Sequence, residues 1–170
     1  LVGRIFEEAG YHVGWTSTVS FKIADREWLN DKKMTMLGRF ALQKLLRQMV
    51  GARVTHVVIE TSSQGLLQHR DYGIAYDVAV FTNLTPEHIE AHGGFENYKR
   101  AKGLLFAHLS LGARTKFVGG TRVRVQKTII ANGDDPHADY FLSFPADQKI
   151  IYRASDPSFP ISFALSGDFN

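Results

Sequence analysis

The stretch Val54-Thr55-His56-Val57-Val58-Ile59-Glu60-Thr61-Ser62-Ser63 decides the fold, because a short apolar, β-branched run gives way to polar residues. Such a run is typical of a strand covered on both faces, as in parallel sheets. The same change recurs at Val78 to Asn83 and at Ile129 to Asp135. Ligands of open parallel sheets bind outside the carboxyl ends of the strands, so the three polar clusters together predict one composite site. Each cluster alone is typical of a turn or a helix cap.

Strand and helix patterns alternate along the rest of the chain. Helical periodicity predicts helices over Leu1 to Ala9, Phe40 to Val50, Phe95 to Leu109 and Pro136 to Phe141. Strand patterns cover His12 to Phe21, Val54 to Ile59, Tyr76 to Phe81, Lys127 to Ala131, Lys149 to Tyr152 and, outside the main sheet, Ser158 to Leu165. The polar segment Lys22 to Met36 is predicted to form a hairpin or a loop. This alternation predicts an α/β fold with a mostly parallel sheet and right-handed crossovers.

The composition is that of an ordinary globular protein with a sizeable core. Of the 170 residues, 44% are hydrophobic and 22% are charged. Cysteine is absent, which excludes a disulfide framework and a thiolate metal site. No apolar run approaches the roughly 18 residues of a membrane helix, and no secretion signal is seen. These features predict a cytoplasmic protein without membrane contact.

The net charge of +3 is spread along the chain, with mild clustering between Arg114 and Lys127. A nucleic-acid-binding protein more often carries a dense basic stripe interleaved with aromatic residues, so nucleic acid is not a predicted partner. A diffuse excess of positive charge is typical of a solvated surface. Attraction of an anionic nucleotide is the alternative interpretation.

The segment after the second polar cluster predicts a helix that carries two histidines. Thr85 and Pro86 suit the N-cap and the first helical position. His88 and His92 are then four residues apart on one face. Such a pair can bind a metal, although the His-Glu-x-x-His pattern of zinc proteases is not present. Surface or capping roles are the alternative.

Three consecutive blocks carry a family resemblance. Val57 to Arg70 resembles the Mur ligase segment written E-V-S-S-H-x-L-x-Q-x-R, Asp77 to Gly93 is similar to that family's next block, and Glu96 to Phe106 continues it at similar spacing. The likeness covers about residues 1 to 145 and is greatest for the branch that adds the third residue of the peptidoglycan stem peptide. It implies one domain over residues 1–170, with the three-layer α/β sandwich and P-loop-like topology of the Mur ligase central domain and helices on both faces of the sheet.

The resemblance implies metal and catalytic roles for three residues. Glu60 and His92 match the family's magnesium ligands, and Lys102 matches a lysine that the family carries as a carbamate. Carbamylation turns the lysine cation into an anion that can bridge magnesium ions at the γ-phosphate, so Mg²⁺ and ATP are the implied cofactors. Without these motifs, other interpretations apply. Glu60 would be a carboxylate in a turn after a strand, His92 a surface residue at the end of a helix, and Lys102 a solvated lysine.

The resemblance also implies residues that hold a UDP-N-acetylmuramoyl-peptide. Ser62, Gln68 and Arg70 match this group, and a planar guanidinium suits a carboxylate. A polar loop between a strand and a helix is the alternative. Thr35 stands where the family often has N-T-T-P, of which one threonine and no proline are present. Gln64 replaces the usual histidine of S-S-H.

Two asparagines are implied to lie near the nucleotide. Asn132 belongs to Asn132-Gly133-Asp134-Asp135, which resembles the family's N-x-D-D. Asn170 ends Gly167-Asp168-Phe169-Asn170, which resembles the start of G-x-[F/H]-N-x-x-N. No G-x-x-x-x-G-K-[S/T] phosphate loop occurs, and the chain is expected to be cut at both ends, without that loop and without the carboxy-terminal ligase domain.

The implied activity of the intact parent is ADP-forming amide ligation, with a UDP-N-acetylmuramoyl-dipeptide and an amino acid as substrates. The isolated fragment is expected to be inactive. A folylpolyglutamate synthetase-like ligase and a non-catalytic nucleotide- or substrate-binding fragment are the alternatives.

Overall fold

The computed structural model describes residues 1–86, 89–118 and 120–154, and the side chains of residues 89 and 118 are left out of the description. The chain divides into two compact units, Leu1–Ile74 with His88–Leu105, and Ala75–Glu87 with Phe106–Asn170. The single domain expected over residues 1–170 stays a prediction. The strand predicted over Ser158 to Leu165 lies outside the described residues. Within the described ranges, no helix is long and apolar enough to cross a membrane.

The first unit is a four-stranded sheet with helices. Its elements are α1 (Val2–Glu8), β1 (Val13–Thr16), β2 (Ser20–Ile23), β3 (Arg26–Leu29), α2 (Arg39–Gly51), β4 (His56–Ile59), α3 (Ser63–Leu67), α4 (Ile89–His92) and the start of α5 (Phe95–Leu111). The strand order is β3-β2-β1-β4. Strands β1 and β4 are parallel, whereas β1–β2 and β2–β3 are antiparallel.

The core of this unit forms between α2 and the residues around β2. Leu42, Leu45 and Met49 are buried on α2, at the spacing that makes one stripe along a helix. They form a buried cluster with Phe21 and Met36. The helix predicted over Phe40 to Val50 is therefore confirmed, and its apolar periodicity is the reason that it packs on the sheet.

The single strand predicted over His12 to Phe21 is wrong, because a turn divides it into β1 and β2. The hydroxyl oxygen of Ser17 accepts from the main-chain N–H groups of Val19, at 3.2 Å, and Ser20, at 3.0 Å. A local hydroxyl acceptor of this kind competes with the extended conformation. The hairpin that was one of the two expectations for Lys22 to Met36 is confirmed by β2 and β3.

The second unit contains a three-stranded parallel sheet. Its elements are β5 (Val78–Phe81), the end of α5, β6 (Thr115–Val118), β7 (Thr121–Arg124), β8 (Thr128–Asn132), α6 (Ala138–Leu142) and β9 (Gln148–Tyr152). The strand order is β5-β8-β9, with both pairs parallel. Phe141 of α6 stacks on Phe81 with ring centroids 4.0 Å apart, and Phe106 lies 4.9 Å from Phe141. The predicted α/β class with parallel pairing is confirmed.

Strands β4 and β5 were predicted to be covered on both faces, and this prediction is wrong. Val57 of β4 is 41% exposed, and Val78 and Val80 of β5 are 48% and 39% exposed, whereas Ala79 and Phe81 are buried. Successive side chains of a strand point to opposite faces, so an apolar run does not require that both faces be covered. In the second unit, the aromatic cluster of α5 and α6 lies on the Phe81 side of β5.

The antiparallel hairpin of β6 and β7 was not predicted. Phe117 pairs with Arg122, and Thr115 pairs with Arg124, across the two strands. The available signal was Gly119-Gly120 between two runs of alternating character. Consecutive glycines between such runs favour a tight hairpin connection.

Candidate functional site

Glu60 is the first residue after β4, and both oxygens of its carboxylate are held by Thr18. The main-chain N–H of Thr18 donates to Oε2 at 2.8 Å, and its hydroxyl donates to Oε1 at 2.9 Å. The hydroxyl oxygens of Thr18 and Thr35 are 2.9 Å apart. A hydroxyl has one hydrogen, so Thr35 donates to Thr18 when Thr18 donates to Glu60. The β1–β2 turn thereby fixes the carboxylate at the end of the sheet.

Ser62 and Ser63 follow directly and have different partners. The hydroxyl oxygen of Ser62 caps α3 by accepting from the main-chain N–H of Gly65 at 3.1 Å. Capping uses the oxygen as an acceptor, so the hydroxyl hydrogen of Ser62 is still available to a ligand. The hydroxyl of buried Ser63 lies 3.1 Å from Nε2 of His92. This contact connects the strand-end segment with α4.

His92 and Lys102 both contact the ring of Tyr98. The rings of His92 and Tyr98 are 5.2 Å apart, and the ammonium of Lys102 lies 5.1 Å from the Tyr98 centroid. Tyr98 is only 6% exposed, and it is four residues before Lys102 on α5. Gly93 and Gly94, with φ of 67° and 127°, form the turn between α4 and α5, and such angles favour glycine. The turn lets the imidazole pack against the first turns of the helix that carries the lysine.

Glu60 and His92 are residue types that can bind a hard cation such as Mg²⁺ when waters and phosphate oxygens complete its coordination shell. Nδ1 of His92 is buried without a hydrogen-bond partner in the described part of the chain. Glu60 supplies carboxylate oxygens that have further lone pairs. Residues 1–86, 89–118 and 120–154 contain no group of three or more acidic or histidine side chains that could hold a metal. Mg²⁺ commonly uses one or two protein groups together with waters and phosphate oxygens, so this small set is compatible with it.

Gln68 and Arg70 lie beside each other after α3. Nε of Arg70 donates to Oε1 of Gln68 at 2.8 Å, and Nη1 donates to the carbonyl of Met36 at 2.5 Å. Among the described residues, the amide nitrogen of Gln68 and Nη2 of Arg70 make no hydrogen bond. The pair therefore presents free N–H donors from a guanidinium that is already fixed in place, which is an arrangement suited to a carboxylate.

In the second unit, Asn132 lies at the end of β8 and contacts the end of β5. Its amide nitrogen donates to the carbonyl of Thr82 at 2.9 Å, and its amide oxygen accepts from the main-chain N–H of Asp134 at 3.0 Å. The hydrogen bond from Asn132 to Thr82 thus connects the polar cluster after β8 with the one after β5. The composite site of all three stays a prediction, and Asn170 lies outside the described residues.

The helix expected to begin at Pro86 includes Ile89–His92 among the described residues, and Pro86 itself lies in a bend rather than in the first helical turn. His88 is outside the described residues, so its pairing with His92 stays a prediction. Two residues that contact the predicted site were missed, Thr18 and Tyr98. Thr18 required the β1–β2 turn to be predicted, whereas Tyr98 could have been found from its four-residue spacing to Lys102.

The first unit thus carries a strand-end carboxylate, a half-buried imidazole and a lysine, and the polar residues after a strand of an α/β domain are where ligands of such domains commonly bind. The sequence profile of the Mur ligase middle domain matches residues 1–159. The chain belongs to the Mur ligase family. This finding confirms the family that the sequence motifs indicated.

Individual relatives agree with this membership. UDP-N-acetylmuramoyl-L-alanyl-D-glutamate--2,6-diaminopimelate ligase of Geobacillus thermodenitrificans (strain NG80-2) is 38% identical over 160 residues, covering 93% of this chain and 30% of that protein. UDP-N-acetylmuramyl-tripeptide synthetase of Roseiflexus sp. (strain RS-1) is 39% identical over 146 residues, covering 84% and 28%. A solved structure of a UDP-N-acetylmuramoyl-L-alanyl-D-glutamate--2,6-diaminopimelate ligase superposes with a TM-score of 0.69 at 26% identity, covering 92% and 29%. The chain thus spans about 30% of the length of the curated relatives it matches.

Proposed function

We propose that this chain is the ATP-using part of an ADP-forming amide ligase, which adds an amino acid to a UDP-N-acetylmuramoyl-dipeptide in peptidoglycan precursor synthesis. Family membership and the names of the relatives support this proposal. In the reaction, the carboxylate of the dipeptide takes the γ-phosphoryl group of ATP, and ADP leaves. The amino group of the incoming amino acid then attacks the acyl phosphate, an amide bond forms, and phosphate departs.

The observation that carries the proposal is the shared contact of His92 and Lys102 with Tyr98. Sequence motifs alone select these two residues, and the structure independently holds both against one buried ring. His92 is further joined to Ser63, which adjoins the capping residue Ser62 and is three residues from Glu60. The shared ring thus brings the imidazole and the lysine to one place in the first unit, as the proposed roles of both residues require.

Glu60, His92 and a carbamate on Lys102 are the proposed metal-holding groups. Bound Mg²⁺ supplies positive charge that neutralises the phosphoryl group during transfer. In this proposal, Thr18 holds the carboxylate of Glu60 in one orientation through two hydrogen bonds. Ser63 orients the imidazole of His92 through its hydroxyl. Lys102 lies over Tyr98 as an ammonium, and its carbamate form would leave the ring face, because that face attracts cations.

The proposed muramoyl-side residues are Ser62, Gln68, Arg70 and Thr35. Arg70 is held by Met36 and Gln68, so its remaining N–H groups can bind the acceptor carboxylate with little loss of side-chain freedom. The hydroxyl hydrogen of Ser62 supplies a further donor. Thr35 is a muramoyl-side residue whose hydroxyl also contacts Thr18, the residue that holds Glu60. The proposed nucleotide contacts are Asn170 and Asn132.

The test is ADP formation by the full-length gene product with ATP, Mg²⁺, UDP-N-acetylmuramoyl-L-alanyl-D-glutamate and one amino acid at a time. Diaminopimelate is the first amino acid to try, since the relatives carry it in their names, and lysine is the second. Lys102→Ala should abolish amide formation, whereas Lys99→Ala, three residues away, should retain it. Absence of ADP with every amino acid tried would overturn the proposal.

A further inference from the structure

The end of α4 is held by a side chain of the helix that follows it. Nδ2 of Asn97, in the first turn of α5, donates to the main-chain carbonyl of His92 at 3.0 Å and to that of Gly93 at 3.3 Å. The last carbonyls of a helix have no N–H partner within that helix, and a side-chain donor can replace the missing partner. Asn97 therefore binds the main chain at the residue that carries the imidazole of the proposed site.

Arg100 holds the amide of Asn97 in one of its two orientations. Nη2 of Arg100 donates to Oδ1 of Asn97 at 3.1 Å, and its Nε donates to the carbonyl of Glu96 at 3.4 Å. A side-chain amide has donors at its nitrogen and an acceptor at its oxygen, so rotating it by about 180° would turn the oxygen toward the two carbonyls at the end of α4. The guanidinium thus favours the orientation in which Nδ2 faces those carbonyls.

The turn that Asn97 holds consists of two glycines. Gly93 and Gly94 have φ angles of 67° and 127°. Glycine has a wide choice of backbone angles, so such a pair does little by itself to fix the direction of the chain between two helices. A Cβ placed on Gly93 would lie 3.6 Å from Nδ2 of Asn97, which shows that the amide packs directly against the turn. The side chain of Asn97 therefore restricts a turn that its own residues leave adaptable.

The geometry of the site, more than the stability of the fold, depends on these contacts. Asn97 and Arg100 are exposed, so their hydrogen bonds contribute little to the free energy of unfolding. With His92 they line one open cavity of about 400 Å³ in the first unit. A shift of the main chain at His92 would move the imidazole relative to Ser63 and to the ring of Tyr98.

We propose that Asn97 and Arg100 are positioning residues for His92. Asn97 fixes the main chain of His92, and Arg100 acts through Asn97 by fixing its amide. This inference rests on the proposed ligase function, in which the imidazole helps to hold Mg²⁺. Because Arg100 lines the same cavity, direct binding of a substrate anion by its guanidinium is the competing explanation.

Two substitutions in the full-length gene product change these hydrogen bonds with little change of size. Asn97→Asp keeps the acceptor for Arg100 but turns an oxygen toward the two carbonyls. Arg100→Met keeps an unbranched apolar stem and removes the donors that orient Asn97. The matched controls make the same two kinds of change at exposed positions of α2, Gln48→Glu and Arg47→Met.

Steady-state kinetics give the first readout. In Asn97→Asp and Arg100→Met, kcat should fall by about tenfold and the half-saturating Mg²⁺ concentration should rise by a similar factor, as is usual when a residue that orients a metal ligand is lost. The KM values for ATP and for the dipeptide should change by less than about twofold, and both controls should match the unmodified protein. Unchanged kinetics in Asn97→Asp would overturn the inference. A raised KM with an unchanged kcat in Arg100→Met would identify a direct substrate contact and would also overturn it.

A double-mutant cycle tests whether Arg100 acts through Asn97. Once Asn97→Ala has removed the amide, Arg100→Met should lower kcat by less than about twofold more, because two residues that act through one contact are not additive. A further loss of about tenfold in that background would show that Arg100 acts separately and would overturn its assigned role.

The contact between the rings of His92 and Tyr98 gives a readout that requires neither metal nor turnover. Their centroids are 5.2 Å apart, so a nuclear Overhauser effect between the ring protons is expected in the Mg²⁺-free protein. This signal should be lost in Asn97→Asp and kept in Gln48→Glu. Its retention in Asn97→Asp would overturn the inference even in an active ligase.

The same measurement separates the inference from the proposed function. If the unmodified gene product makes no ADP and the signal is still lost in Asn97→Asp, the proposed function is overturned and the positioning of His92 is retained. If urea unfolding shows that Asn97→Asp does not fold, Arg100→Met provides the same comparison, because it leaves Asn97 in place and removes only the group that orients the amide.

Discussion

Thr18 binds both carboxylate oxygens of Glu60, one through its main-chain N–H and one through its hydroxyl. The two residues are 42 positions apart in the sequence, and the contact exists because β1 and β4 are parallel neighbours. Thr18 is exposed, so this contact contributes little to the free energy of unfolding. Its main consequence is a fixed carboxylate at the end of β4.

Thr18→Val should raise the Mg²⁺ concentration that the ligase requires without unfolding the protein. The valine keeps the shape and the main-chain donor, but it removes the hydroxyl that connects Thr35 with Glu60. We expect the half-saturating Mg²⁺ concentration for ADP formation to rise by about three- to tenfold, in line with the net loss of one hydrogen bond at an exposed site. Thr18→Ser restores the hydroxyl and should restore the Mg²⁺ dependence. An identical Mg²⁺ dependence in the valine and serine variants would contradict this role.

Arg70→Lys should impair recognition of the muramoyl substrate although the positive charge is retained. A lysine ammonium cannot bond Gln68 and Met36 and still present a planar pair of donors to a carboxylate. The KM for UDP-N-acetylmuramoyl-dipeptide should rise by about tenfold or more, with a smaller change in the KM for ATP. Arg39→Lys, at the start of α2, is the matched control. Similar increases in both KM values would argue against a contact specific to the substrate carboxylate.

Asp77→Ala should be the most destabilising of three changes in the second unit. The ammonium of Lys127 is fully buried, and it donates to Asp77 at 3.1 Å and to the carbonyl of Tyr76. Removing the carboxylate leaves a buried charge with only a carbonyl partner, at a cost of about 2–4 kcal/mol in urea denaturation.

The two lysine variants serve as comparisons. Lys127→Met removes the buried charge together with its need for a partner, so its effect should be smaller than that of Asp77→Ala. Lys116 also pairs with Asp77, at 2.6 Å, but it is 31% exposed, and Lys116→Met should cost about 1 kcal/mol or less. If Lys127→Met destabilised the protein as much as Asp77→Ala, the buried-charge explanation would be wrong.

Glu7 should make the stability of the first unit depend on pH. The hydrogen bond from Lys22, at 2.6 Å, holds the pKa of Glu7 below its ordinary value of 4.5, and Arg4 lowers that pKa further. A lowered pKa means that the folded state favours the ionised form. The contribution is therefore complete above about pH 4.5 and is lost as the pH falls through the lowered folded-state pKa.

Urea unfolding followed by Trp15 fluorescence measures this contribution, because Arg4 and Lys22 both lie over the Trp15 ring. Glu7→Gln should lower the free energy of unfolding at pH 7 by about 1 kcal/mol or less, since the pair is partly exposed. The difference from the unmodified protein should shrink as the pH falls below 4.5. Glu8→Gln, at the exposed neighbouring position, should show no such trend. A difference that stays constant down to pH 3 would contradict the ion-pair explanation.

Periodicity and family motifs predicted the elements whose local sequence agrees with their environment. The helix around Leu42, Leu45 and Met49 is one case, since its apolar stripe is the face it buries. The division between β1 and β2 was not predictable from alternation, because Ser17 ends the strand through hydrogen bonds rather than through hydrophobicity. The partner of Glu60 could not be predicted either, since it depends on the order of strands in the sheet.

The hydrogen-bond partners of Asn132, Asp134 and Asp135 could not be predicted from the sequence either. A polar cluster after a strand is compatible with ligand binding and with connection of neighbouring strands, and both need the same residue types. In the structure, the side chains of Asn132, Asp134 and Asp135 bond the main chain of Thr82, Ala154 and Leu84, respectively. The sequence alone does not contain these connections, because they depend on which strand ends are neighbours in the sheet.

The ring of Tyr98 also constrains the length of the chain around it. His92 reaches the ring through the Gly93–Gly94 turn, and Lys102 reaches it from one turn further along α5. One extra residue between Tyr98 and Lys102 would rotate the rest of the helix by about 100° and carry the lysine away from the ring. Under the proposed roles of His92 and Lys102, an insertion or deletion at this point would therefore impair the ligase even if every side chain named here were retained.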